Sequence, residues 1–70
     1  SNIAEGSGRY FKKEFVHFLY QARGSLLETF TQIEIAFRLG YITDQVRDQL
    51  IQTGEEISKM LNGLIKSLKD

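Results

Sequence analysis

Seventy residues at 8.1 kDa allow one small domain, or one piece of a larger one. Nine Lys and Arg balance nine Asp and Glu, so no global charge marks a nucleic-acid or membrane binder; without cysteine there is no disulfide framework and no Cys-based zinc or redox site. No apolar run approaches the roughly 18 residues a membrane span needs, and an opening with Glu5, Gly6 and Gly8 does not read as a signal peptide, so a cytoplasmic location is expected.

In chain order, the first feature is the breaker cluster Gly6-Ser7-Gly8. It predicts a tight link between a short N-terminal helical stub and a long helix over about 10–39, some 45 Å at 1.5 Å per residue. Two apolar stripes run along that helix at alternating steps of three and four. One passes through Phe11, Phe15, Phe18, Ala22, Ser25 and Thr29, large at its start and small at its end. The other takes Val16, Leu19, Arg23, Leu26, Phe30, Ile33 and Phe37. Two adjacent stripes make the wide apolar face of a bundle helix.

Leu39-Gly40-Tyr41-Ile42-Thr43-Asp44 reads as stop, turn and start. Gly40 suits the left-handed position that ends a helix, Thr43 the cap of the next, and Asp44 its N-terminal dipole. The second helix, about 44–69, carries an expected seam of Val46, Leu50, Gly54, Ile57, Leu61, Leu64 and Leu68, with Ile51, Met60 and Ile65 lying off it. Glu-to-cation pairs four residues apart are expected at Glu5/Arg9, Glu34/Arg38 and Glu55/Lys59.

So short a turn makes the helices antiparallel neighbours, with facing residue numbers summing to about 83. His17 then lies level with Lys66, Arg23 with Met60, and Thr29 with Gly54. Each helix can hide only one stripe against the other, so the remainder would form an apolar patch larger than soluble monomers tolerate. The hairpin therefore needs more helices, from further chain or from other copies.

The blocks NIAEGSGR at 2–9, KEF at 13–15, FLYQARGSLLE at 18–28, LGYI at 39–42 and EEISKMLNGLIKSL at 55–68 cover most of the chain. Together they resemble the bacterial four-helix bundle proteins encoded in intervening sequences of 23S rRNA genes, once mislabelled S23 ribosomal proteins. The retroelement accessory variability determinant protein is similar in fold. The resemblance implies four antiparallel helices, assembly into a ring-shaped homo-oligomer, and no enzymatic activity. Family members begin with another helix and most of a second, so residues 1–70 resemble the C-terminal part of one domain: the end of bundle helix two, then helices three and four. Phe11 departs from the family, which often has a small hydroxyl residue there; Ser7 would then start the helix instead.

Charge is unevenly divided. Residues 1–27 and 57–70, side by side at the open end of the hairpin, hold seven cations against three acids, or +4; residues 28–56 at the turn end hold six acids against Arg38 and Arg47, or −4. Arg9, Lys12, Lys13, Arg23, Lys59, Lys66 and Lys69 form a candidate surface for RNA or DNA, with Tyr10 free to stack and Phe11 and Phe15 assigned to the core. The competing account is a solvated helix surface whose charges only complement helix ends and subunit contacts.

Other patterns are weaker. Gly6-Ser7-Gly8-Arg9 could form an anion nest, but the phosphate-loop Lys-Ser/Thr is missing. Glu14 and His17 match the Glu-x-x-His spacing of di-iron bundles, yet Lys66, Ser67 and Lys69 stand level with them, so no metal is expected. Ala22, Gly24, Ser25 and Gly63 point to close helix approach rather than a ligand pocket. Nucleophilic catalysis has no candidate residues. The reading is an all-α, up-down four-helix bundle segment. It is non-enzymatic and self-assembling, with no cofactor, membrane or small-molecule substrate. It binds nucleic acid at its basic end, or alternatively is a purely structural homo-oligomer.

Overall fold

The computed structural model describes the backbone of residues 2–69 and the side chains of residues 8–69. It contains two helices, α1 (Asn2–Arg38) and α2 (Asp44–Lys69), packed antiparallel as a hairpin 57 Å long. The expected break at Gly6-Ser7-Gly8 does not occur: α1 runs through it from Asn2, so there is neither a separate stub nor a helix start at Ser7. Glycine costs a helix about 1 kcal/mol against alanine, which weakens it locally, whereas proline would interrupt it and is absent. The amides of this segment belong to the helix ladder, so the anion nest is lost as well.

The turn follows from its residues. Gly40 has φ 83°, which a residue with a Cβ adopts only at a cost. Its N–H donates to Phe37 O at 3.0 Å and the Tyr41 N–H to Ala36 O at 2.9 Å, the paired bonds of a Schellman cap. Thr43 Oγ1 then accepts from the Val46 N–H at 3.2 Å, capping α2. Arg47 stacks back on α1, its guanidinium carbon 4.1 Å from the Phe37 ring centroid.

Of the two α1 stripes, the one through Val16, Leu19, Phe30 and Phe37 packs against α2. Register holds to within a turn: Phe30 meets Gly54, and Arg23 donates to Asn62 Oδ1 at 2.9 Å rather than lying against Met60. The α2 seam is a correction. Ile51, Ser58 and Ile65, with Gly54, Leu61 and Leu68, turn toward α1, whereas Val46, Leu50, Ile57 and Leu64 remain exposed. Both sets repeat at steps of three and four, so spacing cannot separate them. Gly54, Leu61 and Leu68 are common to both, so the Phe30 contact does not decide between them; the stacking of Arg47 on the Phe37 ring and the burial of Ile65 rather than Leu64 do.

Burial is slight. Leu19 and Ile65, 3% and 5% exposed, are the buried large apolar residues among those described. Phe11 and Phe15, expected in the core, are 70% and 44% exposed, because they lie on the stripe that α2 does not cover. Gly24 and Gly63 likewise have open space around them, so close approach is made at Gly54 instead. Among the described residues, the ion pairs are Arg38–Glu34 at 3.3 Å and Arg47–Asp48 at 3.0 Å; Glu55/Lys59 does not form one, and the Glu5 side chain lies outside the described residues.

Each helix thus has a second apolar stripe one position before its packing seam: Phe15, Phe18 and Ala22 precede Val16, Leu19 and Arg23, and Leu50, Ile57, Met60 and Leu64 precede Ile51, Ser58, Leu61 and Ile65. One residue is a rotation of about 100°. Because the helices run in opposite directions, the same step turns both stripes to the same side of the hairpin. Tyr20 and Lys69, one position after Leu19 and Leu68, mark the opposite side, where they touch. The hairpin is apolar on one side and polar on the other.

Candidate nucleic-acid interface

The basic end is built by α1 outrunning its partner. Arg9 and Lys12 continue the line of Val16 and Leu19 at helical spacing, at levels past the end of α2. The same face of α1 therefore changes from apolar to cationic where α2 stops. The last carbonyls of α2 carry the negative end of its dipole, which favours cations there. Arg9, Lys12, Lys13 and Lys69 surround a shallow cavity of about 290 Å³ over Val16 and Leu68. An aliphatic floor with a cationic rim can receive a phosphate oxygen and the apolar part of an attached sugar or base.

Beside it is a cluster that sequence reasoning missed. Lys69 Nζ donates to Tyr20 Oη at 2.9 Å and lies 5.5 Å from the ring centroid. The Arg23 guanidinium carbon is 4.8 Å from the same ring. The hydrogen bond from Lys69 holds the Tyr20 phenol below its ordinary pKa, helped by the charges of Lys69 and Arg23 and opposed by desolvation. Tyr20 and Asn62 each stand one position after a seam leucine, Leu19 and Leu61. That offset was a usable signal for residues at the edge of the helix contact.

The seven expected cations are not equivalent. Arg23 is half-buried and engaged by Asn62 and Tyr20, and Lys69 is engaged by Tyr20. Arg9, Lys12, Lys13, Lys59 and Lys66 are exposed; Lys59 and Lys66 lie on the polar side, one position after Ser58 and Ile65. Tyr10 is 63% exposed, with its ring edge-to-face against Phe11 at 6.1 Å between centroids. His17 lies 3.4 Å from Gln21 Nε2, and among the described residues no group of three or more His, Cys, Asp or Glu is placed to hold a metal. Nor is any helix, among the described residues, long and apolar enough to cross a membrane.

Among known protein families, the model described as 23S rRNA-intervening sequence protein aligns with residues 1–63. No curated protein and no solved structure matches the chain.

Proposed function

The chain belongs to the family of 23S rRNA-intervening sequence proteins, and from that premise we propose a non-enzymatic, self-assembling protein that supplies two helices of a four-helix bundle and binds nucleic acid through its basic end. The observation that carries the nucleic-acid reading is the cluster of Arg9, Lys12, Lys13 and Lys69 around one cavity, on a chain whose net charge is zero. The balancing acids are at the other end of the hairpin, so the local field at the open end is positive. Arg23, Lys59 and Lys66 extend the positive surface along the polar side. The exposed stripes of both helices support bundle completion, since burying them requires further helices.

A second reading, a purely structural homo-oligomer, draws on the internal contacts of Arg23 and Lys69, which engage Asn62 and Tyr20 rather than solvent. Titration of the protein with a short structured RNA at low and moderate salt separates the two. Nucleic-acid binding predicts uptake that weakens as salt rises, and a shallower salt slope for a variant carrying Lys12→Glu and Lys13→Glu. Uptake indifferent to salt and to these substitutions leaves the structural reading.

A further inference from the structure

The cavity at the open end is more than a cluster of charges. Its floor, Val16 and Leu68, is aliphatic and belongs to the seam between the helices, while Arg9, Lys12, Lys13 and Lys69 form its rim. Lys13 and Lys69 each stand one position after the seam line, after Lys12 and Leu68, which is the direction of the polar side. The mouth therefore leans away from Phe15 and Phe18, and helices packed on the apolar side would lie behind it. Its volume of about 290 Å³ is at the small end of ligand cavities, which run from roughly 300 to 1,000 Å³, so it has room for one base with its sugar and not for a base pair.

We infer that this cavity holds one unpaired nucleotide, its base against Val16 and Leu68 and its flanking phosphates on the cationic rim. This rests on the proposed nucleic-acid reading and names the part of the nucleic acid that the site takes: a single strand, a loop or a strand end, rather than continuous duplex.

Three observations select this ligand. The first is the floor. Cations alone attract phosphate, but a hydrated phosphate gains nothing from Val16 and Leu68, whereas the flat face of a base does. In a duplex the bases are paired and stacked, so one could reach this floor only by being extruded. The second is the state of the neighbouring aromatic ring. Tyr20 is engaged by Arg23, 4.8 Å from its centroid, and by Lys69 at 5.5 Å, so the aliphatic floor is the apolar surface that a base beside these cations can use. The third is preorganisation. Lys69 Nζ is held by Tyr20 Oη at 2.9 Å, which fixes the methylene stem of Lys69 as one wall of the cavity before any ligand arrives.

Duplex has the denser phosphate charge, so a purely cationic surface would favour it at any given salt concentration. The test compares a short single strand with its blunt duplex, the strand carrying a fluorescent adenine analogue that is dark while stacked on its neighbours. The single strand should bind about tenfold or more tighter than the duplex, and the analogue should brighten as its base leaves the stack. Leu68→Gln, in the last turn of α2, makes the floor polar without changing charge. It should weaken single-strand binding several-fold and abolish the brightening while leaving the salt slope unchanged, with helicity checked by circular dichroism. Parallel RNA and DNA strands tell which sugar the mouth accepts, and tight binding with brightening by either supports the site. Equal or tighter duplex binding, or no brightening in the unsubstituted protein at saturation, would overturn the unpaired-nucleotide site and leave phosphate binding at the basic end. Failure of both forms to bind would overturn the nucleic-acid reading as well.

Discussion

Phe30 occupies the space that a side chain at position 54 would need: a Cβ built on Gly54 would stand 2.8 Å from Phe30 Cζ and closer still to Cε1. This is the tight point of the hairpin, where a glycine buried inside a helix is offset by an aromatic ring from the other. Gly24 and Gly63 have no such neighbour within the hairpin.

Alanine at these positions should therefore have opposite effects. Gly54→Ala gains helix propensity of about 1 kcal/mol but displaces the Phe30 ring, an overpacking cost of about 1–3 kcal/mol, so a net loss is expected. Gly24→Ala should gain up to about 1 kcal/mol, because only the propensity changes. Urea unfolding at fixed protein concentration checks both, and Phe30→Leu should soften the Gly54→Ala loss non-additively. A stabilised Gly54→Ala would show that the ring moves aside freely.

The turn depends on two small devices whose loss should register separately. Gly40→Ala forces a Cβ into the left-handed region and should cost about 1–2 kcal/mol. Thr43→Ala removes the acceptor of the Val46 N–H and should cost about 1 kcal/mol. Thermal unfolding followed by circular dichroism reads both, and Thr43→Ser should recover most of the second loss.

The Tyr20 phenol has a direct spectroscopic test. Its pKa is lowered chiefly by the hydrogen bond from Lys69, so ultraviolet titration should show an early phenolate that disappears in Tyr20→Phe and shifts to higher pH in Lys69→Met. The sign for stability follows from the depressed acid. The contribution is absent at neutral pH, grows as pH rises through the folded pKa, is complete above the unfolded value, and is lost again as pH falls. A phenolate transition that ignores Lys69→Met would refute the assigned cause.

Because the basic residues and the uncovered apolar stripes are on different surfaces, binding and assembly should separate by mutation. Lys12→Glu with Lys13→Glu should lower RNA affinity and flatten its log–log salt slope by about 0.7–0.9 for each phosphate that is no longer neutralised. Phe18→Asp should change the mass first. Light scattering with and without RNA reads both; a mass change in the lysine variant would place those cations at a subunit boundary.

Much of the fold was legible in residue order. Gly40 and Thr43 announced the turn because a positive φ and a capping hydroxyl are local requirements that neighbours seldom override. The stripe from Val16 to Phe37 was recognisable as a helix face for the same reason. The Gly6-Ser7-Gly8 break was misread because glycine lowers helix stability without forbidding helix, and the sequence has no proline to decide the matter. Of the candidate site, Arg9, Lys12 and Lys13 were visible as a charge run. The engagement of Arg23 and Lys69 around Tyr20 was not, since those partners are up to 49 residues apart.

The sequence by itself determined two long helices, their antiparallel order, the uneven division of charge between the ends and the surplus of apolar surface. Each of these depends on intervals of a few residues or on composition within a segment. The tertiary structure alone decided which α2 stripe faces α1, and with it which side stays open. The two faces share Gly54, Leu61 and Leu68 and differ by a rotation that exchanges Leu50, Ile57 and Leu64 for Ile51, Ser58 and Ile65; equal spacing leaves that rotation open, and contacts between the helices, such as Arg47 on the Phe37 ring, set it.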